Sequence, residues 1–183
     1  MNRVTFILLL VMAMLMAFVE GRGLTREGIF GTRIDVLPVL VTYAALRGDL
    51  FGAVALAAFS GILLDGLSTT PLGTSLLSLS LAAVVVVRLR GVILRDQALA
   101  QAAVGGTVAT LSPVLNLGIL WGLGLSPVAG WGTVLHVGVL GVSGVILSPF
   151  IFLLFDWLEA ELTFEEEPFS RFRSEVEIKR GRG

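Results

Sequence analysis

The chain has 183 residues and a mean hydropathy of +0.92, with 55% hydrophobic and 15% charged residues. Soluble domains carry about a quarter charged residues, so this composition excludes an ordinary soluble protein. The net charge of −1 gives no basis for nucleic-acid binding, and the absence of cysteine excludes disulfides, thiolate metal sites and a cysteine nucleophile.

Apolar residues come in long blocks separated by charges, which predicts six membrane-spanning helices. The segments are 4–19, 34–46, 50–64, 72–89, 99–125 and 134–158. The first could be a signal peptide, but five more follow it, which favours a retained span. We therefore predict an all-α integral membrane protein, a compact bundle of six transmembrane helices over residues 1–158. A charged cytoplasmic tail, mostly disordered, is predicted over residues 159–183.

The second and third segments fall short of the roughly 20 residues that a straight span needs. Flanking residues such as Phe30 could extend them, the bilayer could thin locally, or the short segments could border a binding cavity. Pro38 interrupts the second segment early. Pro113 and Pro149 predict kinks in the fifth and sixth, because proline removes a backbone donor and clashes one turn back.

Basic residues indicate the orientation. With both termini in the cytoplasm, ten of the 13 basic residues lie inside, and only Arg22, Arg26 and Arg33 lie outside. Without the tail the inside still leads, with Arg3, Arg47, Arg88, Arg90 and Arg95. The positive-inside rule therefore favours cytoplasmic N- and C-termini. Three tryptophans lie close to predicted span ends, as an aromatic belt requires: Trp121, Trp131 and Trp157.

Small residues recur at helical spacing on three segments. They are Ala53, Ala57 and Gly61 on the third, Gly118 and Gly122 on the fifth, and Gly138, Gly141 and Gly144 on the sixth. Such stripes let helix backbones approach closely in lipid. The pattern leaves two interpretations open: packing within the bundle, or a face that receives the transmembrane helix of a partner protein.

Asp65 is the carboxylate within the apolar stretch GILLDGLSTTPLGTSLLSL. An ionisable residue in a span is a functional candidate by default. Its place at the end of the third segment is disfavoured by the helix dipole, but its side chain could accept hydrogen bonds from backbone N–H groups of the following turn. Gly66 would permit that turn, with Thr70 as N-cap and Pro71 as the first residue of the fourth helix. A structural role and a contact with a partner or ligand are compatible.

The other polar groups of the predicted spans are few, and none forms a catalytic motif. The sequence has no HExxH, GxSxG or phosphate-binding loop, and one histidine cannot build a multi-histidine metal site. An intramembrane aspartyl protease would need two carboxylates in the middle of its spans. Asp35 and Asp65 are instead predicted to lie near the outer surface. Asn116 is expected to hydrogen-bond between helices, and His136 to be interfacial or hydrogen-bonded. We therefore predict no catalytic, cofactor-binding or metal-binding residues.

The stretch LPVLVTYAALRGDLFGAVALAAFSGILLDGLSTTPLGTSLLSLSL, residues 37–81, resembles the rod shape-determining MreD family. In that family a proline precedes a short leucine-rich helix with an aromatic residue. A small-residue helix ending in G-x-L-L-D-x-L and a loop with P-L-G follow. The matching residues are Pro38, Tyr43, Gly61, Leu63, Leu64, Asp65, Leu67, Pro71, Leu72 and Gly73.

The resemblance implies a non-enzymatic scaffold of the bacterial cell-elongation machinery. Its direct partner would be the transmembrane helix of MreC, with MreB, RodA and a class B penicillin-binding protein in the wider assembly. The family is also similar in fold to the substrate-binding subunits of energy-coupling-factor vitamin transporters. The alternative function is therefore a solute-binding membrane subunit, with an outer pocket lined by Asp35, Asp65, His136 and the first loop.

Overall fold

The computed structural model describes residues 3–21, 35–68, 71–91, 98–125 and 130–163, and these ranges are helical apart from short turns. The helices are α1 (Arg3–Gly21), α2 (Leu37–Arg47), α3 (Leu50–Leu67), α4 (Thr74–Leu89), α5 (Ala98–Gly122) and α6 (Trp131–Thr163). The prediction of an all-α chain with six helices is confirmed for this part of the chain.

Three of the six helices in the described ranges are long and apolar enough to cross a membrane. They are α3, α5 and the Trp131–Glu161 part of α6, whereas α1, α2 and α4 are apolar but shorter. Large apolar side chains on the outside of the fold are strongly exposed, including Phe51, Leu99 and Leu153 at 83%, 84% and 70%. An exposed apolar surface of this kind indicates association with lipid.

Helix α2 lies inside the bundle. Its residues from Leu37 to Leu46 are all buried, and it contacts each of the other five helices. The Tyr43 ring packs edge-on against Phe152 at a centroid distance of 5.0 Å and lies 5.1 Å from the Phe155 ring. Because protein encloses α2, its backbone polar groups are not exposed to lipid. The helix can therefore be shorter than the thickness of a bilayer.

The predicted start of the second helix is wrong. Residue 34 lies outside the described residues, and α2 begins at Leu37, with Pro38 in its first turn rather than interrupting it. Proline fits there because a first-turn residue has no intrahelical hydrogen bond to lose and its φ angle is already helical.

The small-residue stripe of α3 faces the interior. Ala53 and Ala57 are fully buried, and Gly61 lies against the backbone of α4. A Cβ on Gly61 would lie 2.6 Å from the backbone nitrogen of Leu76, so only glycine permits this approach. The close contact brings the end of α3 directly beside the first turn of α4.

Helices α5 and α6 also cross closely, but through partly different glycines from those predicted. A Cβ on Gly144 would lie 2.6 Å from Ala109 Cβ and 2.9 Å from the Gly105 carbonyl oxygen. Ser148, fully buried, donates a 2.8 Å hydrogen bond to the Gln101 carbonyl oxygen. These contacts fasten the two helices at their crossing.

Three of the predicted packing glycines do not pack within the described part of the chain. No heavy atom of the described residues lies within 4 Å of a Cβ built on Gly118, Gly122 or Gly138, and all three are exposed. Gly141 does face α5, where a Cβ would collide with the Thr110 side chain. The spacing of Gly118 and Gly122 is that of a packing stripe, but it lies on the outer face of α5.

Helix α6 is longer than predicted. It has 33 residues, continues past Leu158 to Thr163, and contains Pro149, while α5 contains Pro113. The predicted tail therefore begins as helix, and residues 164–183 lie outside the described residues.

We expect Gly144→Val to destabilise the protein by about 1–3 kcal/mol, because the new side chain would overpack the crossing of α5 and α6. Gly118→Val makes the same change in helix propensity but places its side chain in open space, so its thermal unfolding midpoint in detergent should stay close to wild type. Equal midpoints for the two variants would contradict this packing.

Candidate functional site

Asp65 joins the end of α3 to the start of α4. The side chain is 2% exposed. Its Oδ2 accepts hydrogen bonds from Gly73 N–H at 2.7 Å and Leu76 N–H at 3.4 Å, and its Oδ1 accepts one from Ser75 N–H at 3.0 Å. The Thr74 hydroxyl lies 3.4 Å from the same Oδ1. The carboxylate therefore binds donors at the N-terminus of α4 as a capping residue would, from a different helix.

Gly73 explains why the cap comes from α3. It occupies the N-cap position of α4 with φ at 101°, a left-handed conformation that favours glycine, and it has no side chain with which to cap. The first N–H groups of a helix lack intrahelical acceptors, and the helix dipole favours an anion beside them. Asp65 and Gly61, four residues apart on α3, thus face the first turn of α4 together.

The predicted N-cap of the fourth helix is wrong. Thr70 lies outside the described residues, and α4 starts at Thr74 rather than at Pro71. Pro71 is an exposed turn residue whose carbonyl oxygen accepts a 3.1 Å hydrogen bond from the Thr74 hydroxyl. Proline and glycine here shape the turn, and the acid of α3 supplies the acceptor.

A cavity of ≈ 220 Å³ lies at the same end of the bundle. It is lined by the end of α1, the residues before α2, the end of α3, the start of α4, and parts of α5 and α6. The lining residues are Glu20, Asp35, Leu64, Leu67, Ser68, Ser75, Ser112, Pro113, Asn116, His136 and Leu140. We call this the six-helix cavity. Asp35 and His136 line it as the solute-binding alternative requires, whereas Asp65 is not among its lining residues.

Two carboxyl groups give the six-helix cavity its acidic character. Glu20 is 9% exposed, and its Oε1 accepts a hydrogen bond from Val36 N–H at 3.3 Å. Asp35 accepts a 3.1 Å hydrogen bond from Leu37 N–H. Desolvation raises the pKa of the Asp35 carboxyl to about 6, with the Leu37 hydrogen bond opposing the shift.

The opposite end of the bundle holds a polar network between α2 and α6. Arg47 donates to Asp156 Oδ2 at 2.7 Å, and the Tyr43 hydroxyl lies 3.3 Å from Asp156 Oδ1 and 3.4 Å from Glu159 Oε2. The Arg90 guanidinium donates to the Gly48 carbonyl oxygen, which ties the end of α4 to the turn between α2 and α3. Basic residues predicted to be cytoplasmic therefore meet at one end.

A second concave surface, of ≈ 470 Å³, runs along the outside of the α5–α6 crossing. We call it the outer groove. Its lining is small or apolar: Ala103, Gly106, Thr107, Thr110, Gly138, Gly141, Val142, Val145 and Ile146. Gly138 leaves open space within it, whereas Gly106 and Gly141 form close contacts between the two helices. The outer groove thus has the small-residue character of a helix-docking surface in lipid.

Comparison with known proteins adds no relative: no family model, curated protein or solved structure matches the chain. The functional argument therefore rests on the residues and their geometry. Of the motif residues from the resemblance, Gly61, Asp65 and Gly73 meet at the α3–α4 turn, and Pro71 lies in that turn. Pro38 and Tyr43 are buried in α2, away from it.

Several site residues escaped the sequence reasoning. Gly105 and Ala109 on α5 and Ser148 on α6 pack at the helix crossing beside the predicted Gly144, and their four-residue spacing (105/109 and 144/148) could have revealed them. No sequence feature indicated that Glu20 would line a cavity, because an acid at the end of a predicted span is typical of an ordinary interfacial residue. Its role in the cavity depends on tertiary structure.

Asp65→Ala should destabilise the protein by about 2–4 kcal/mol, since it leaves several N–H groups of α4 without an acceptor. Asp65→Asn retains one acceptor oxygen, and its loss should be smaller. Thermal unfolding of the purified variants in one detergent measures both. Asp49→Ala removes the N-cap bond to Gly52 on the same helix and serves as a reference, expected to cost about 0.5–2 kcal/mol. Two Asp65 variants as stable as wild type that fail to bind a partner would instead place Asp65 at an interface.

Proposed function

We propose that this protein is a non-enzymatic, multi-pass membrane scaffold whose six helices form one compact transmembrane bundle. Three helices have the length and composition of spans, and α2 contacts all of the others. In this proposal the shorter α1 and α4 also cross the bilayer, and the enclosed α2 crosses within the bundle, with local thinning or flanking residues making up the length.

The scaffold is proposed to belong to the MreD family and to act in bacterial cell elongation. The support is the stretch 37–81, whose Gly61, Asp65 and Gly73 form one interlocking turn. In this motif the two glycines and the aspartate each have a distinct structural role. A match to such a motif supports family membership more strongly than a match to a general apolar pattern. MreB, RodA and a class B penicillin-binding protein are proposed members of the wider assembly.

The outer groove is the single observation that carries the partner proposal. Apolar contact alone gives two helices no advantage over lipid, so association depends on close backbone approach and on packing. Gly138 supplies an open, side-chain-free position in a groove of ≈ 470 Å³. We propose that the transmembrane helix of MreC lies in this groove, across the α5–α6 crossing.

The proposed orientation has the network of Arg47 and Asp156 on the cytoplasmic side of a bacterial inner membrane. Arg90 reaches the same end through its bond to Gly48, so the bundle brings together basic residues that the positive-inside rule counts. The six-helix cavity then faces the outer side. Exposed Trp121 and Trp131 near that side, and Trp157 near the other, suit aromatic belts.

A second candidate function is a solute-binding subunit of a vitamin-type transporter. The observation that favours it is the six-helix cavity, which mixes polar groups with Leu64, Leu67 and Leu140. Its volume of ≈ 220 Å³ is below the 300–1,000 Å³ typical of ligand pockets, so it suits only a small solute. The outer groove has no role in this alternative.

Gly138→Leu should reduce co-purification of MreC about tenfold, equivalent to ~1.4 kcal/mol, because the side chain would fill the outer groove. Gly122→Leu, an exposed glycine outside the groove, is the matched control and should leave co-purification unchanged. Both variants should retain the wild-type unfolding midpoint. Failure of wild-type protein to form a detergent-stable complex with folded MreC would count against the scaffold function itself.

Reporter fusions test the proposed orientation. A fusion at residues 126–130, between α5 and α6, should report the outer side, and a fusion after residue 183 should report the cytoplasm, because the basic residues are concentrated at the other end of the helices. A cytoplasmic signal from residues 126–130 would overturn the topology.

A further inference from the structure

The six-helix cavity contains hydrogen-bonding groups that the fold does not use. Ser112 is 9% exposed and lines the cavity, and within the described residues its hydroxyl has no hydrogen-bond partner. Asn116, one helical turn further along α5, donates from Nδ2 to Ser75 Oγ at 3.3 Å. That bond leaves Oδ1 as the free end of the amide, and Oδ1 is buried without a partner among the described residues. Buried polar groups of this kind normally find a partner.

The free groups and the charges point to the same chemistry. Carboxylates and an amide oxygen are acceptors, and a serine hydroxyl can accept as well as donate. Asp35 adds negative charge, and the cavity lining contains no Lys or Arg among the described residues. An occupant that satisfies this set must bring N–H donors and positive charge.

The rest of the lining limits the size and shape of the occupant. Leu64, Leu67, Pro113 and Leu140 provide an apolar wall beside the polar groups. The volume of ≈ 220 Å³ equals that of about seven water molecules at about 30 Å³ each. This space suits on the order of ten non-hydrogen atoms, with an apolar body and one cationic end.

We propose that the six-helix cavity binds a small organic cation, an amine or guanidine. Its charged group would lie by Asp35, and its remaining donors by Ser112 and Asn116. Burial raises the pKa of Asp35, and a cation bound beside the carboxylate would lower it again. A ligand in this cavity is compatible with either proposed function, the scaffold or the solute-binding subunit. The proposed cation site is therefore tested independently of both.

The test uses the full chain in lipid nanodiscs, without MreC, and two monocationic probes of about the right size: tyramine and butylguanidine. We expect saturable binding of at least one probe in equilibrium dialysis and a rise in the unfolding midpoint. The neutral isostere 4-propylphenol, in which a methyl replaces the ammonium of tyramine, should neither saturate nor stabilise. Empty nanodiscs give the partitioning into lipid that is subtracted.

Variants locate the site. Asp35→Asn and Ser112→Ala should each weaken probe binding about fivefold or more, since each removes one interaction with the cation. Ser143→Ala is the matched control, because Ser143 bonds the Leu140 carbonyl within α6 and does not line the cavity. Unfolding midpoints without probe verify that the variants are folded.

Three results would overturn the proposal: no saturable binding of either amine, equal binding of 4-propylphenol, or unchanged binding in both cavity variants. Loss of MreC co-purification with probe binding intact would instead reject the scaffold and leave the cation site standing.

Discussion

The hydrogen bonds from the first turn of α4 to the Asp65 carboxylate are the constraint on which the cavity end of the molecule depends. In a lipid environment an unpaired N–H costs several kcal/mol, so a helix that starts without its own capping side chain needs an acceptor from elsewhere. The carboxylate meets this need and, together with Gly61, fixes the distance between α3 and α4. Ser75 is thereby brought to the position where it receives the Asn116 amide.

The two ends of the bundle are chemically different. At one end Arg47 and Asp156 neutralise each other, and Tyr43 links the buried α2 to Asp156 and Glu159 of α6. At the other end, the Asn116 amide oxygen and the Ser112 hydroxyl have no hydrogen-bond partner among the described residues. The first arrangement holds helices together, and the second is the site of the proposed ligand. Partner binding and ligand binding would then use separate surfaces, the outer groove and the six-helix cavity.

Helix number and helical class could be predicted from sequence, because blocks of apolar residues are a direct signal of lipid-facing or buried helices. The acceptor role of Asp65 also followed from local chemistry, since Pro71 and Gly73 mark a turn soon after it. The predicted role of Gly66 in that turn was wrong, because Gly66 lies within α3. Glycine spacing was a weaker guide. Gly118 and Gly122 have the same spacing as Ala53 and Ala57, yet one pair faces outward and the other is buried.

What sequence could not supply was the rotation of each helix about its axis, which decides whether a stripe meets protein or lipid. The enclosure of α2 and the convergence of Glu20, Asp35 and Asn116 depend on all six helices at once. No local pattern encodes such a meeting of distant residues. The start of α4 was misplaced for a related reason: its capping group lies on the preceding helix, outside the window in which a cap is normally sought.

The length of α6 has a mechanical consequence. Its 33 residues extend about 50 Å at 1.5 Å per residue, well beyond a hydrocarbon core of about 30 Å. The helix lines the outer groove in its middle and carries Asp156 and Glu159 near its end, so in the proposed orientation one continuous helix connects an intramembrane surface to the aqueous boundary. A tilt of α6 within the bilayer would therefore displace its charged end. A force on that end would in turn shift the part of α6 that lines the outer groove.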